Sequence, residues 1–452
     1  MSRRVVITGM GWITPLGHDV GSVWGKLLTG ASAIAPVTRF DASTFATNFA
    51  AEVKNFRLEH FLDAKLHPRF ASLAPFRHAG LNSQFALAAA AQAWKQARLD
   101  AVPIADPRRF GMYLGSGEGS LDTDAFFEAN VAGWNEQTRS VDGSRWADAA
   151  VKLLRAHKEI EQEPNMSLLH VANAFGCRGP AFNCMTACAA SNQAIGEATE
   201  LIRRGDADVM FAGGAHSMIH PLGMTGFIRL TAMSTRRDTP ASAARPFDAT
   251  RDGFVMGEGA AMIVLESLEH ARKRGVEPLA ELAGYGSSAD AFRITDIAPE
   301  HRGAQAAIRQ ALRQAGIDPR EPDPRSPDRP RVHWFCAHGT GTKENDKLET
   351  AAVKAIFGPF APKVPVSSIK SMLGHLIQAA GAAGTIACVQ AIKTGFVPPT
   401  ANYEHADPDC DLDVVPRVAR DLNPAGGVDI CLNNAAGFGG QNDVLLVKRF
   451  VP

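Results

Sequence analysis

Tyrosine is almost absent from this chain, charge of either sign is not in excess, and no apolar run is long. Three tyrosines stand against 41 glycines in 452 residues, so tight backbone turns are many and polar aromatics few. Lys plus Arg is 47 and Asp plus Glu is 47, giving a formal net charge of zero. That excludes a generally basic nucleic-acid binder and an acidic, solvating chain. The longest weakly polar stretch, Ile377 to Ile392, contains Gln378 and Gln390. It falls short of the roughly 20 apolar residues of a membrane span and reads as a buried helix. Arg3 and Arg4 precede only a short apolar run before Gly9, which does not make a signal peptide. The cysteines are few, odd in number and scattered: Cys177, Cys184, Cys188, Cys336, Cys388, Cys410 and Cys431. This pattern argues against a disulfide scaffold and for a reducing cytoplasm. P-loop, HExxH and GxSxG patterns are missing. Cys184 and Cys188 have no second pair nearby, so metal binding is not expected.

What is present is a large apolar fraction, 45%, with 21% charged residues, as in an ordinary globular protein. Val5 to Gly9 reads as a first strand. Gly9-Met10-Gly11 then opens like a dinucleotide fingerprint, but Thr14 replaces the third glycine and Pro15 spoils the helix start. Ser83 to Ala97 reads as a helix and Arg109 to Leu114 as a strand. A long polar helical stretch, 122 to 163, is an inserted cap. Ile195, Ala198, Leu201 and Ile202 carry helical spacing, which Arg203, Arg204 and Gly205 close. Strands are expected at Val209 to Gly214, Ala260 to Leu265, Val332 to Cys336, Val366 to Ser368, Val428 to Asn434 and Val444 to Lys448. Helices are expected at Asp346 to Ile356 and after His375. The proline- and charge-rich run Asp318 to Pro330 reads as an exposed loop. This alternation of β and α elements in both halves predicts mainly parallel sheets sandwiched by helices.

Four segments carry chemistry. Cys188 lies in Asn183-Cys184-Met185-Thr186-Ala187-Cys188-Ala189-Ala190-Ser191, just before a helix. A thiol there meets unsatisfied N–H groups and the positive end of a helix dipole, which favour the thiolate and can hold an oxyanion. Alone, a cysteine among alanines reads as packing. His338 opens His338-Gly339-Thr340-Gly341-Thr342, where a strand delivers an imidazole into a glycine turn. Lys370 and His375 flank a tight turn in Lys370-Ser371-Met372-Leu373-Gly374-His375, and a nearby lysine disfavours imidazolium. Asn433 to Asn442 is a glycine loop carrying one bulky aromatic, Phe438.

Together, in this order, the four segments resemble the condensing enzymes of fatty-acid and polyketide synthesis, closest to the elongating β-ketoacyl-acyl carrier protein synthases. Arg245-Pro246-Phe247-Asp248 and Asp252-Gly253-Phe254-Val255-Met256-Gly257-Glu258-Gly259 add to the likeness, which covers nearly the whole chain. The resemblance implies an α/β, thiolase-like fold: two similar βα halves in five αβαβα layers, here 1–265 and 266–452. It implies an acyl group on Cys188, condensed with malonyl carrier protein after decarboxylation, with His338 and His375 holding the enolate. By the same likeness Lys370 orders the site with Glu349 as its ion partner, Asp346 supports it, and Phe438 gates it. Thr340, Thr342 and Thr295 contact the pantetheine arm. No cofactor of its own is implied, since the phosphopantetheine belongs to the acyl carrier protein partner, and a homodimer or a heterodimer with a related subunit is expected.

The sequence also departs from the family pattern. Glu118 stands in a glycine turn where an apolar residue lines the acyl tunnel, so it is a substrate-contact candidate that disfavours a long saturated chain if buried. Ala436 replaces an aromatic, and Arg293 stands where histidine is common. These point to a specialised role in polyketide or polyene synthesis at least as much as to fatty-acid elongation. An acidic carrier calls for a basic patch, with Lys65, Arg69, Arg77, Arg203 and Arg204 as candidates. Two alternatives stay in view: a non-catalytic chain-length subunit, and a thiolase. A thiolase would need a second cysteine in the last loop, which has none.

Overall fold

The computed structural model describes residues 3–117 and 119–452; Glu118 lies outside the described residues. Ten strands form one continuous sheet. They are β1 (Val5–Ile13), β2 (Phe110–Gly115), β3 (Ala181–Cys184), β4 (Val209–His216), β5 (Gly259–Ser267), β6 (Ala280–Ala289), β7 (Trp334–Cys336), β8 (Val366–Ser367), β9 (Ile430–Gly437) and β10 (Gln441–Lys448). Their spatial order is β8-β7-β9-β10-β6-β1-β5-β4-β2-β3. Cut at the β6–β1 junction, the order is the same on both sides: β1-β5-β4-β2-β3 and β6-β10-β9-β7-β8. The strand senses also repeat. β1–β5, β5–β4, β6–β10 and β10–β9 are antiparallel, whereas β4–β2, β2–β3, β9–β7 and β7–β8 are parallel. The expectation of mainly parallel sheets is amended: each set is mixed, because its last strand, β5 or β10, runs against the other four.

Six helices complete the layers: α1 (Leu81–Gln96), α2 (Met166–Phe175), α3 (Ala190–Arg204), α4 (Arg302–Ala315), α5 (Lys343–Phe357) and α6 (Ala380–Thr394). Helices α1 and α2 cover the outer face of the first set, α4 and α5 flank the second, and α3 and α6 lie between the two sets. The repeat reaches atomic detail. A Cβ at Gly9 or Gly11 would fall 2.1 or 1.8 Å from the carbonyls of Ala93 and Ala89 on α1; at Gly284 or Gly286 it would meet Ala311 and Ala307 on α4 at 2.1 and 1.9 Å. Glutamines on both helices also cap strand N–H groups: Met10 N–H donates to Gln96 and Tyr285 N–H to Gln314. The Gly9-Met10-Gly11 pattern therefore serves close strand–helix packing.

Helices α3 and α6 are equivalent too. Each follows a 3₁₀ turn that opens on a left-handed non-glycine residue, Ala187 (φ 47°) and Ile377 (φ 42°), and each ends at a left-handed glycine, Gly205 and Gly395. Gly381 leaves room on α6, since a Cβ there would fall 2.5 Å from Asn192 Oδ1 on α3. Asn192 in turn donates to the Asn433 and Asp443 carbonyls, tying the central layer to β9 and β10.

The 122–163 region folds into helices Thr123–Gly133 and Gly143–Leu153 around a short hairpin. The loop expected over Asp318 to Pro330 instead contains a hairpin, Pro322–Asp323 with Ser326–Pro330. Asp323 organises it by binding Arg325 at 2.7 Å and His333 at 2.7 Å, a partnership invisible in a local reading. Among the described residues no helix is long and apolar enough to cross a membrane.

Candidate active site

Strand β3 ends at Cys184, and the chain turns sharply through Ala187 into α3, presenting Cys188 at the helix N-terminus. Left-handed backbone at a residue with a Cβ is strained and concentrates at functional turns. Cys188 is 6% exposed and lines a cavity of about 520 Å³. Gly437, at the end of β9, lies against the same turn. A Cβ on it would stand 2.7 Å from the Thr186 carbonyl and 3.3 Å from the N atoms of Cys188 and Ala189. The loop that begins there carries Phe438, which also lines the cavity.

His338 follows β7. Two buried carboxylates on α5 hold its loop by the backbone: Glu349 accepts from the N–H groups of His338 (2.7 Å) and Gly339 (2.8 Å), and Asp346 from Gly341 (3.2 Å). Burial pushes both carboxyl groups above their usual range. Lys370 donates to the His338 carbonyl. The expected Lys370–Glu349 partnership is not a direct ion pair among the described residues: the carboxylate is taken by backbone donors and by Asn434 at 2.6 Å, and its charge reaches Lys370 only at longer range, favouring the ammonium.

His375 follows a left-handed Gly374 and is pinned by its N–H to the Val255 carbonyl at 2.7 Å. Its Nδ1 accepts from the Ile377 N–H at 3.2 Å, which places the ring proton on Nε2. The His338 and His375 rings are 5.5 Å apart at 83°, and Phe254 packs edge-on against His375. Burial, and next the Lys370 ammonium, hold both imidazoles well below their ordinary pKa, so both are neutral near pH 7. Burial also lowers Lys370.

The cavity thus unites Cys188, His338, His375, Thr340, Thr342, Thr295 and Phe438. The Thr340 and Thr342 hydroxyls are 3.0 Å apart on its wall. Lys370, Glu349 and Asp346 stand behind the wall and hydrogen-bond to the His338 loop. Arg293 is turned outward, paired with Asp296 and lying over the Phe292 ring. Arg203 and Arg204 close the far end of α3, about 22 Å of helix from Cys188, and bind Glu200 and Asp206. Neither they nor Lys65, Arg69 and Arg77 line the cavity. Sequence reasoning missed Phe227, Leu230, Asp290, His301, Asn345 and Asn442, which also line it.

Two family models match the chain, "Beta-ketoacyl synthase, N-terminal domain" over residues 2–271 and "Beta-ketoacyl synthase, C-terminal domain" over residues 279–404. The chain belongs to the β-ketoacyl synthase family. It is 40% identical to the 3-oxoacyl-[acyl-carrier-protein] synthase 2 of Coxiella burnetii over 448 residues, 99% of both chains. A Synechocystis protein of the same name is 39% identical over 450 residues, covering 99% of this β-ketoacyl synthase and 98% of the other. Among solved structures, the ishigamide ketosynthase/chain length factor superposes with a TM-score of 0.85 at 34% identity over all of both chains. A β-ketoacyl synthase from Burkholderia phymatum gives 0.84 at 30%, covering 99% and 100%. The fold is the thiolase-like one of these synthases, and the protein is a condensing enzyme of the acyltransferase class.

Proposed function

We propose that this protein is a 3-oxoacyl-acyl carrier protein synthase that joins an acyl thioester to malonyl carrier protein with loss of CO₂. One observation carries this reading: a cysteine at a helix N-terminus and two neutral imidazoles share one cavity. The Cys188 thiolate attacks the acyl thioester carbonyl, and the carrier thiol leaves, taking a proton. Backbone N–H groups at the start of α3 hold the tetrahedral oxyanion. Malonyl carrier protein then enters with its thioester oxygen toward His338 and His375. The C–C bond to the carboxylate breaks, CO₂ departs, and the electron pair becomes an enolate that the ring N–H groups stabilise. The enolate carbon attacks the acyl-Cys188 carbonyl, and expulsion of the cysteine thiolate releases 3-oxoacyl carrier protein. His375 suits this role because its proton sits on Nε2, away from the backbone.

In the same reading Thr340, Thr342 and Thr295 meet the pantetheine arm, Phe438 parts the acyl and malonyl sides, and Lys370, Glu349 and Asp346 fix the His338 loop. The phosphopantetheine comes with the carrier, and no cofactor of the enzyme's own is assigned. The two halves divide at 265/266. A dimer, of like chains or with a related subunit, forms along the exposed β3 edge, and the reaction belongs to the cytoplasm. The pathway is fatty-acid or polyketide synthesis. Against a thiolase, Cys431 is fully buried on β9 and the loop after it carries no thiol. Against a non-catalytic subunit, the nucleophile and both histidines are present on one cavity.

The test is intact mass after mixing with acyl carrier protein donors. Wild type gains the acyl mass and Cys188→Ala does not. A gain that survives in Cys188→Ala, or none in wild type with any donor, overturns the reading.

A further inference from the structure

The cavity lining holds polar atoms that the reaction above does not use. His301 is fully buried, yet Nδ1 and Nε2 of its ring have no hydrogen-bond partner among the described residues. The Asn442 amide and the Leu348 carbonyl lie near the ring, but neither contact closes into a hydrogen bond. Its backbone is left-handed (φ 51°), as is that of Glu300 before it (φ 62°). Two consecutive such residues carry strain that the surroundings must impose. Asn345 lines the same cavity, 4% exposed. Its Nδ2 donates to the Asp346 carboxylate at 3.0 Å, which fixes the amide's orientation and leaves Oδ1 without a donor among the described residues.

Burial lowers the His301 pKa, so the ring is neutral and offers one N–H and one bare nitrogen. A neutral donor and an orphaned acceptor lining one cavity are the complement of a group that both donates and accepts. A carboxylate only accepts, and the Asp290 and Asp296 carboxylates on the same cavity disfavour it further. Of the parts of a carrier-borne substrate, the amides of the pantetheine arm carry N–H and C=O together.

We propose that His301 and Asn345 form a substrate-positioning subsite for one amide of the pantetheine arm, with the amide C=O accepting from the His301 ring and the amide N–H donating to Asn345 Oδ1. This rests on the synthase reading above and adds two residues to it. Occupying the subsite satisfies buried polar atoms that are otherwise unpaired, and it fixes how deep the thioester reaches toward Cys188.

The experiment compares two acyl donors on wild type, His301→Phe, His301→Gln and Asn345→Ser. One donor is the pantetheine thioester; the other is a simple alkyl thioester of the same acyl group, which has no amide. Acylation of Cys188 is followed by intact mass, and folding by thermal unfolding. For folded His301→Phe and for Asn345→Ser we expect KM for the pantetheine donor to rise about 5- to 10-fold, with kcat little changed. The alkyl thioester should react as with wild type, and His301→Gln, which keeps a donor, should recover most of the loss. Equal loss with both donors, or none with either, overturns the subsite. If His301→Phe does not fold, Asn345→Ser on α5 decides. Failure of wild type to acylate with both donors would sink the synthase reading itself, a separate outcome.

Discussion

At the scale of single residues, the site is governed by where protons sit. In the proposed reaction decarboxylation needs imidazoles that donate a hydrogen bond without carrying full charge, and burial keeps His338 and His375 in that neutral form. Lys370 adds to it, since its ammonium sits behind His338 and disfavours a second positive charge. The sign follows directly. A histidine pKa held low keeps the ring neutral as pH falls through 6.5, so malonyl decarboxylation should stay level from pH 8 to 6 and fail only in more acid solution. In Lys370→Met the electrostatic part of the depression disappears while burial remains. The acid limb of kcat/KM should then move partway up toward the ordinary histidine value, with a lower plateau because the His338 carbonyl loses its donor. A limb that stays put or moves to lower pH in this variant would refute the coupling.

At the scale of elements, three strand ends meet at the cavity: the β3–α3 turn, the loop after β7, and the loop after β9. Their approach depends on Gly437. In Gly437→Ala the new Cβ would collide with the Thr186 carbonyl at 2.7 Å, and backbone on both sides leaves little room to yield. Overpacking of this kind costs about 1–3 kcal/mol, and here the displacement also moves Phe438 and the N–H groups beside Cys188. Thermal unfolding should show a modest loss of stability, and single-turnover acylation at least a 10-fold loss of rate. Wild-type acylation in the folded variant would show that the loop need not lie so close.

What could be read from sequence at this scale was local. The helix closed by Arg203, Arg204 and Gly205, the strand from Val5, and the Cys188, His338 and His375 motifs are set by neighbours in the chain. What could not be read depends on distant partners. Glu349 stands next to Lys370 in a motif reading, but backbone N–H groups eleven and ten residues before it claim its oxygens. The hairpin within 318–330 exists because Asp323 meets His333. His301 has no motif at all: its place on the cavity follows from a left-handed turn between the Asp290 loop and α4.

At the scale of the molecule, a duplicated five-strand plan leaves two free sheet edges, and they differ in character. β8 is a two-residue strand and wholly buried. β3 is four residues long, and among the described residues no strand pairs with its outer edge, beside Phe182, 48% exposed, and the following Met185, 58% exposed. An unpaired edge flanked by apolar side chains is a template for another strand, and its end leads within four residues to Cys188. Pairing there would set two active sites back to back and brace each nucleophile turn against the partner. Size-exclusion chromatography with light scattering should therefore give a dimer for wild type. In Phe182→Lys/Met185→Lys, charges on the edge should shift the mass toward the monomer at micromolar concentration, and acylation should slow as the Ala187–Ala189 turn loses its support. If wild type alone runs as a monomer and pairs only when a related subunit is added, the edge serves a heterodimer. If the double variant still dimerises, the contact lies elsewhere on the surface.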